Sequence, residues 1–264
     1  MMGSIGLLGC GQLGGAMAQA LLRTGSVTQS RLWICNRSGP VAALRAYQVN
    51  WTREPQELAE HCETLVLALP PAAGRQVRLA ASDRAVISVM AGLTLAEISR
   101  LTGSSRVIRA MSSPAAENGM AYSPFVAAAG VNARDRGVAR MLFSACGLTD
   151  EVPDEAQIDV FTAITGPVPG FVAYFAMCMQ RYAEGQGVAP EVAGRAVRQL
   201  FLSAGQEMAG SSRLPAEFVA QMIDYAGTTA AGFQEMEACA VDKGIARGLE
   251  AARLRCRTIG MPEG

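Results

Sequence analysis

The sequence predicts an α/β fold, a doubly wound parallel sheet in the N-terminal half followed by an all-helical C-terminal domain. Three observations predict it. Short apolar or β-branched runs alternate with helix-like segments up to about Asp150. At the first junction, Gly9-Cys10-Gly11-Gln12-Leu13-Gly14 separates a strand-like Ile5-Gly6-Leu7-Leu8 from a helix-like Leu13 to Leu22. From Asp154 onward no strand-like run stands out, and helix-like segments follow one another. The first half therefore reads as a Rossmann-type domain.

In order along the chain, strands are expected at residues 4–8, 31–35, 64–69, 85–89 and 106–110, with a further one near 124–129. Helices are expected between them at 13–23, 41–47, 54–61, 74–80 and 95–101. The second half supplies helices at 155–164, 171–185, 190–209, 215–224 and 229–252, the last with breaks allowed. "TGPVPG" (165–170), "EGQGVAP" (184–190), "GSSRLP" (210–215) and "YAGTTAAG" (225–232) punctuate them. The simplest division is a dinucleotide-binding domain at 1–152 and a helical domain at 153–264. Phe171, Val172, Tyr174, Phe175, Met177 and Met179 cover most of one helix's circumference, so a homodimer sharing that core is expected, burial against the first domain being the alternative.

Composition narrows the function classes. Lys+Arg and Asp+Glu are equal at 23 each, and no basic block offers a footprint for nucleic acid or an acidic membrane. Apolar stretches such as 171–179 read as too short to span a bilayer. Residues 1–8 run straight into a strand without a basic segment or cleavage site, so cytoplasmic residence is expected. The seven cysteines are scattered, without a Cys-x-x-Cys pair, and read as reduced thiols, with neither a metal site nor a disulfide framework. One histidine, His61, and one lysine, Lys243, leave little room for a His or Lys acid/base. His61 reads as a packing or helix-end residue.

The Gly-x-Gly-x-x-Gly run permits a tight turn, close approach of a pyrophosphate to bare backbone, and close helix–strand packing. Free N–H groups at the helix start attract phosphate charge. A NAD site usually carries Asp or Glu at the end of the second strand, but here "RLWICNRS" ends in Asn36-Arg37-Ser38. With no carboxylate to repel a phosphate and a guanidinium to hold one, NADPH is favoured and NADH remains an alternative. Arg37 as a plain solvated charge is the competing reading.

Over nearly its whole length the chain resembles the Δ1-pyrroline-5-carboxylate reductases, which reduce a cyclic imino acid to proline with NAD(P)H. The resemblance rests on "IGLLGCGQLGGAMAQALL", "CNRS", "LVLALPP", "SVMAGLTLAEI", "RVIRAMSSPAAENGM", "DVFTAITGPVPGFVAYF" and "AGTTAAGFQEME". It implies that Gly9, Gly11, Gln12, Leu13 and Gly14 meet the pyrophosphate, and that Asn36, Arg37 and Ser38 meet the adenosine ribose and its 2′-phosphate. Ala68, Leu69 and Pro70 would line the cofactor towards the nicotinamide, with Ala91 and Gly92 nearby. Gly227, Thr228 and Thr229 match a loop that holds the substrate carboxylate, and Thr229 is the expected polar partner of the imine nitrogen. The residues alone also allow Thr228 or Thr229 to be simply a helix N-cap.

Three departures fall where substrate is read. Pro70 stands where the family usually has lysine, and Ser112-Ser113-Pro114 replaces a Pro-Asn-Thr-Pro run. Thr165-Gly166-Pro167-Val168-Pro169-Gly170-Phe171 replaces Ser-Gly-Ser-Gly-Pro-Ala-Tyr, and Tyr225-Ala226 replaces Pro-Gly. A reshaped pocket follows, so a specialised imine reductase of another biosynthetic pathway is the alternative to proline synthesis. A non-enzymatic NADP(H)-binding regulator is a further alternative, opposed by the intact Gly227-Thr228-Thr229. The β-hydroxyacid dehydrogenases share the domain order but use a catalytic lysine, and Lys243 lies too late in the chain for that role.

Overall fold

The structure, a computed structural model, describes residues 3–166, 169–259 and 261. Pro167 and Val168, part of the altered 165–171 run, lie outside the described residues. The chain forms two compact units: the described residues before Pro169 together with those from Leu249 on, and Pro169–Gly248.

The first unit is built on β1 (Ile5–Leu8), β2 (Leu32–Cys35), β3 (Asn50–Thr52), β4 (Thr64–Leu67), β5 (Ala85–Ser88), β6 (Val107–Ala110) and β8 (Phe125–Ala127), in the order β3-β2-β1-β4-β5-β6-β8. All pairings are parallel except β6 with β8. A short pair, β7 (Ala121–Tyr122) with β9 (Gly147–Leu148), lies outside this sheet. Every residue of β1, β4, β5 and β6 is buried, as expected of strands covered on both faces. The chain order reverses between β1 and β4, and the crevice at their carboxyl ends is where such sheets bind ligands.

Helices cover both faces. Residues of α1 (Gln12–Arg23) and α5 (Ala133–Cys146), among them Met17, Leu21, Leu142 and Phe143, join one core. Leu58 of α2 (Pro55–His61) and Ile98 of α4 (Leu95–Thr102) join the other. Thr94 and Glu97 form a capping box on α4, and Gly103 ends it at φ 71°. Two expectations are corrected here and two elements are added. The segment 41–47 forms only a 3-10 turn at Ala42–Leu44, and 74–80 is no helix, because α3 (Pro71–Gly74) stops after one turn. β3 and α5 are additions: β3 is only three residues long, and α5 carries a buried Asp135 that Arg106 neutralises at 2.8 Å through Nε.

Compactness divides the chain later than residue 152. Ile158 of α6 (Glu155–Thr165) is buried with Met111, Val126 and Val152 of the first unit. The second unit contains α7 (Gly170–Gly185), α8 (Pro190–Ala209), α9 (Pro215–Asp224), α10 (Thr228–Ala238) and the start of α11 (Val241–Thr258). The expected 229–252 helix is thus two helices, parted where Ala240 adopts φ 53°. Neither α7 nor α9 has a buried residue, and Val172, Tyr174 and Leu214 stand exposed. The run Glu155–Gly185 is long and apolar enough, by composition, to cross a bilayer, contrary to the expectation from 171–179 alone. It comprises two helices of 11 and 16 residues, and each is shorter than a membrane span requires.

Candidate active site

The glycine run turns from β1 into α1 at the carboxyl edge of the sheet. Gly9 adopts φ 98°, and a Cβ there would lie 2.6 Å from the carbonyl oxygen of Ala68, so only glycine fits. A Cβ on Gly14 would enter the carbonyl oxygen of Gly9, which makes Gly14 the helix–strand packing glycine. Gly11 differs from both. Its φ is ordinary at −76°, and nothing lies within 4 Å of where its Cβ would be. Gly11 is also the N-cap of α1 without any side-chain cap, which leaves the N–H groups of the first turn, at Gln12 and Leu13, open to a ligand. Cys10 lies within this turn, and burial pushes its thiol up to about 11, so it adds no negative charge beside a pyrophosphate.

Asn36, Arg37 and Ser38 form the turn that leaves β2. Asn36 Nδ2 donates to Ser38 Oγ at 3.1 Å and to the Gly39 carbonyl at 2.7 Å, which holds the turn closed. Arg37 is exposed and makes no hydrogen bond or ion pair among the described residues. His61 lies at the opposite edge of the sheet, stacked on Trp33 with ring centroids 4.3 Å apart, in a packing role.

Ala68, Leu69 and Pro70 follow β4, with Ala68 and Leu69 half-buried and Pro70 exposed as the N-cap of α3. Ala91 and Gly92 follow β5, and Gly92 adopts φ 74°. Sequence reasoning missed what holds these two loops together. Arg75 Nη2 donates to the Gly92 carbonyl at 2.6 Å, and Nη1 to Glu97 Oε1 at 2.5 Å. Burial works against the Glu97 charge, but hydrogen bonds from the Thr94 amide and hydroxyl and from Arg75 hold its carboxyl below the usual range. Behind Gly92 the chain end returns: a Cβ there would lie 2.5 Å from the Cys256 carbonyl oxygen and 2.7 Å from the Ile259 side chain.

In the second unit Gly227 is the N-cap of α10, again without a side-chain cap. Thr228 is therefore the first helical residue and neither threonine caps the helix. Both are exposed, and neither hydroxyl has a hydrogen-bond partner among the described residues. The preceding Ala226 is held at φ 53°, and the Tyr225 ring, 85% exposed, lies 3.3 Å from where a Gly227 Cβ would be. Among the described residues no cluster of His, Cys, Asp and Glu could hold a metal.

An uncapped helix start after a glycine turn, at the point where strand order reverses, defines a dinucleotide-binding protein. The open face at Gly11 and the unpaired Arg37 fit a phosphorylated dinucleotide. Comparison with known proteins gives the rest. Residues 155–259 match the family described as pyrroline-5-carboxylate reductase dimerisation, and residues 4–92 one described as NADP oxidoreductase coenzyme F420-dependent. A pyrroline-5-carboxylate reductase of Pseudomonas aeruginosa is 30% identical over 203 residues, covering 76% of this chain and 70% of that one. Pyrroline-5-carboxylate reductase 2 of Bacillus subtilis is 26% identical over 98% of this chain and 95% of that one. The crystal structure of a Plasmodium falciparum pyrroline carboxylate reductase with NADP bound superposes with a TM-score of 0.80 at 22% identity, covering 97% of this chain and 98% of that one. The chain belongs to the pyrroline-5-carboxylate reductase family. It is accordingly an NAD(P)H-dependent oxidoreductase acting on C=N/CH–NH bonds, with NADP(H) as cofactor.

Proposed function

We propose that the protein reduces a carboxylated cyclic imine, pyrroline-5-carboxylate, to proline with NADPH, working as a cytoplasmic homodimer. The observation that carries the substrate class is the uncapped start of α10, where Gly227 leaves backbone N–H groups, backed by the helix dipole, for a carboxylate. The family match and the free hydroxyls of Thr228 and Thr229 support the same reading. The dimerisation match over 155–259 and the exposed apolar side chains of α7 and α9 support the homodimer. Five cysteines buried and two exposed, all free thiols, accord with a reducing compartment.

In this reading Gly9, Gly11, Gln12, Leu13 and Gly14 bind the pyrophosphate, and Asn36, Arg37 and Ser38 the adenosine ribose with its 2′-phosphate. Ala68, Leu69, Pro70, Ala91 and Gly92 wall the nicotinamide end, and Arg75 fixes their spacing. The nicotinamide, when bound, supplies the hydride. Gly227 and Thr228 hold the substrate carboxylate, and Thr229 Oγ1 faces the imine nitrogen. The imine arrives protonated and keeps that proton as the amine forms, so a chain with one His and one Lys needs no acid residue. Thr229→Ala is expected to lower kcat/KM about tenfold to a hundredfold, the worth of one hydrogen bond to a charged group. NADPH affinity should stay unchanged and Thr229→Ser should restore most of the rate; unaltered kinetics would remove the threonine from the site.

The Tyr225 ring beside Gly227, where the family has a Pro-Gly pair, favours a second reading, a specialised reductase of another cyclic imine. NADPH oxidation at 340 nm with pyrroline-5-carboxylate, pyrroline-2-carboxylate and piperideine-2-carboxylate separates the two. Fastest turnover of the first supports proline synthesis; turnover of only the others supports specialisation; NADPH binding without turnover supports a regulator.

A further inference from the structure

We infer that Arg53, at the end of β3, closes with Arg37 on the 2′-phosphate of NADP(H), so that two strands rather than one read that phosphate. The inference rests on the assignment of NADP(H) as cofactor. β2 and β3 run parallel with Cys35 opposite Thr52, and the Asn36 amide donates to the Thr52 carbonyl at 3.2 Å. The 36–39 turn and Arg53 therefore leave the sheet side by side at its carboxyl edge. Gly39 lies at the base of this turn with φ 76°, and Arg53 Nη2 is 3.8 Å from where a Gly39 Cβ would stand. The guanidinium thus rests against the closed turn.

Like Arg37, Arg53 is exposed and makes no hydrogen bond or ion pair among the described residues, although most other arginines of the first unit have a carboxylate or carbonyl partner. One such guanidinium carried within a turn of Asn and Ser, and a second resting against it, suit a dianionic phosphomonoester better than a diol, because each can present two N–H groups to phosphate oxygens. Glu54 and Glu57 lie near enough to add to the burial that raises the Cys35 thiol to about 11. The local field is therefore mixed, and the discrimination must come from directional contacts of the two arginines.

The test is fluorescence titration of the purified full chain with NADPH and NADH, for wild type, Arg53→Ala, Arg53→Lys and Arg37→Ala, each checked by thermal melting. Arg53→Ala is expected to weaken NADPH about fivefold to twentyfold, the range for loss of one charge-assisted contact at an exposed site, while NADH changes less than twofold. Arg53→Lys should fall between, and 2′,5′-ADP should lose its advantage over 5′-AMP as a competitor. Equal weakening of both cofactors, or of neither, in a variant that melts normally would overturn the inference while leaving the cofactor assignment intact. A wild type that binds NADPH no better than NADH would overturn both. Imine turnover enters none of these readings, so failure of the proposed reduction would show separately.

Discussion

Gly11→Val is expected to raise the dissociation constant for NADPH more than a hundredfold while shifting the melting temperature by less than about 2 °C. Gly11 holds an ordinary φ of −76° with empty space within 4 Å of its Cβ position, so the polypeptide itself has no need of glycine there. The added isopropyl group would instead stand where a pyrophosphate must approach the uncapped N–H groups of α1, and loss of those contacts costs about 3 kcal/mol or more. Gly14→Val should behave oppositely. Its Cβ meets the Gly9 carbonyl, so helix and strand must part, and the melt should fall by many degrees whether or not cofactor is present. Paired melts and NADPH titrations check both. Normal NADPH binding by Gly11→Val would show that no phosphate approaches that face.

Arg109→Met should lower the melting temperature of the first unit by roughly 6–20 °C. The Arg109 side chain is 3% exposed in the centre of β6, where its Nη1 meets Glu155 Oε1 at 3.1 Å and its Nη2 meets Asp159 Oδ1 at 2.5 Å. Arg257 Nε completes the cluster on Asp159 Oδ2 at 3.0 Å, so one arginine ties β6 to α6 and, through Asp159, to the end of α11. Removing it leaves buried carboxylate charge undercompensated, a loss of about 3–5 kcal/mol. In a unit of this size each kcal/mol shifts the melt by about 2–4 °C. Gly92, Arg109, Asp159 and Arg257 also line a recess of about 460 Å³, so the change should loosen the packing behind Gly92 and raise the KM for NADPH. Calorimetry with and without NADPH measures both effects; an unchanged melt would mean that the cluster contributes nothing net.

The residues that could be read from sequence are those whose requirement is local. Gly9, Gly11 and Gly14 declare a strand-to-helix turn within six positions, and the fully buried runs of β1, β4 and β5 declare a covered parallel sheet. What escaped depends on contacts distant in sequence. β3, "NWT", is a strand only because β2 runs beside it, and α5 hides behind Arg134, Asp135 and Arg136 because its buried Asp135 is offset by Arg106, 29 residues earlier. The break at Ala240 is carried by an alanine, the residue best suited to a helix, so no local signal marks it. Arg53 and Arg75 lie against Gly39 and Gly92, in the loops that follow β2 and β5, and nothing in their own stretch of sequence sets them apart from solvated charges. The Gly227-Thr228-Thr229 loop could be located by resemblance, but that Gly227 rather than a threonine is the N-cap needed the backbone itself.

If this chain passes a hydride from NADPH to the carbon of a C=N bond, isotopic labelling of that hydride reveals where it goes. The protein should be incubated with pyrroline-5-carboxylate and [4,4-²H₂]NADPH, and the product amino acid examined by mass spectrometry. Hydride transfer to the imine yields proline carrying one deuterium on the ring carbon that was doubly bonded to nitrogen, formed in step with NADPH oxidation. Proline formed without deuterium, or NADPH bound and left unoxidised with this and the related cyclic imines, would contradict it.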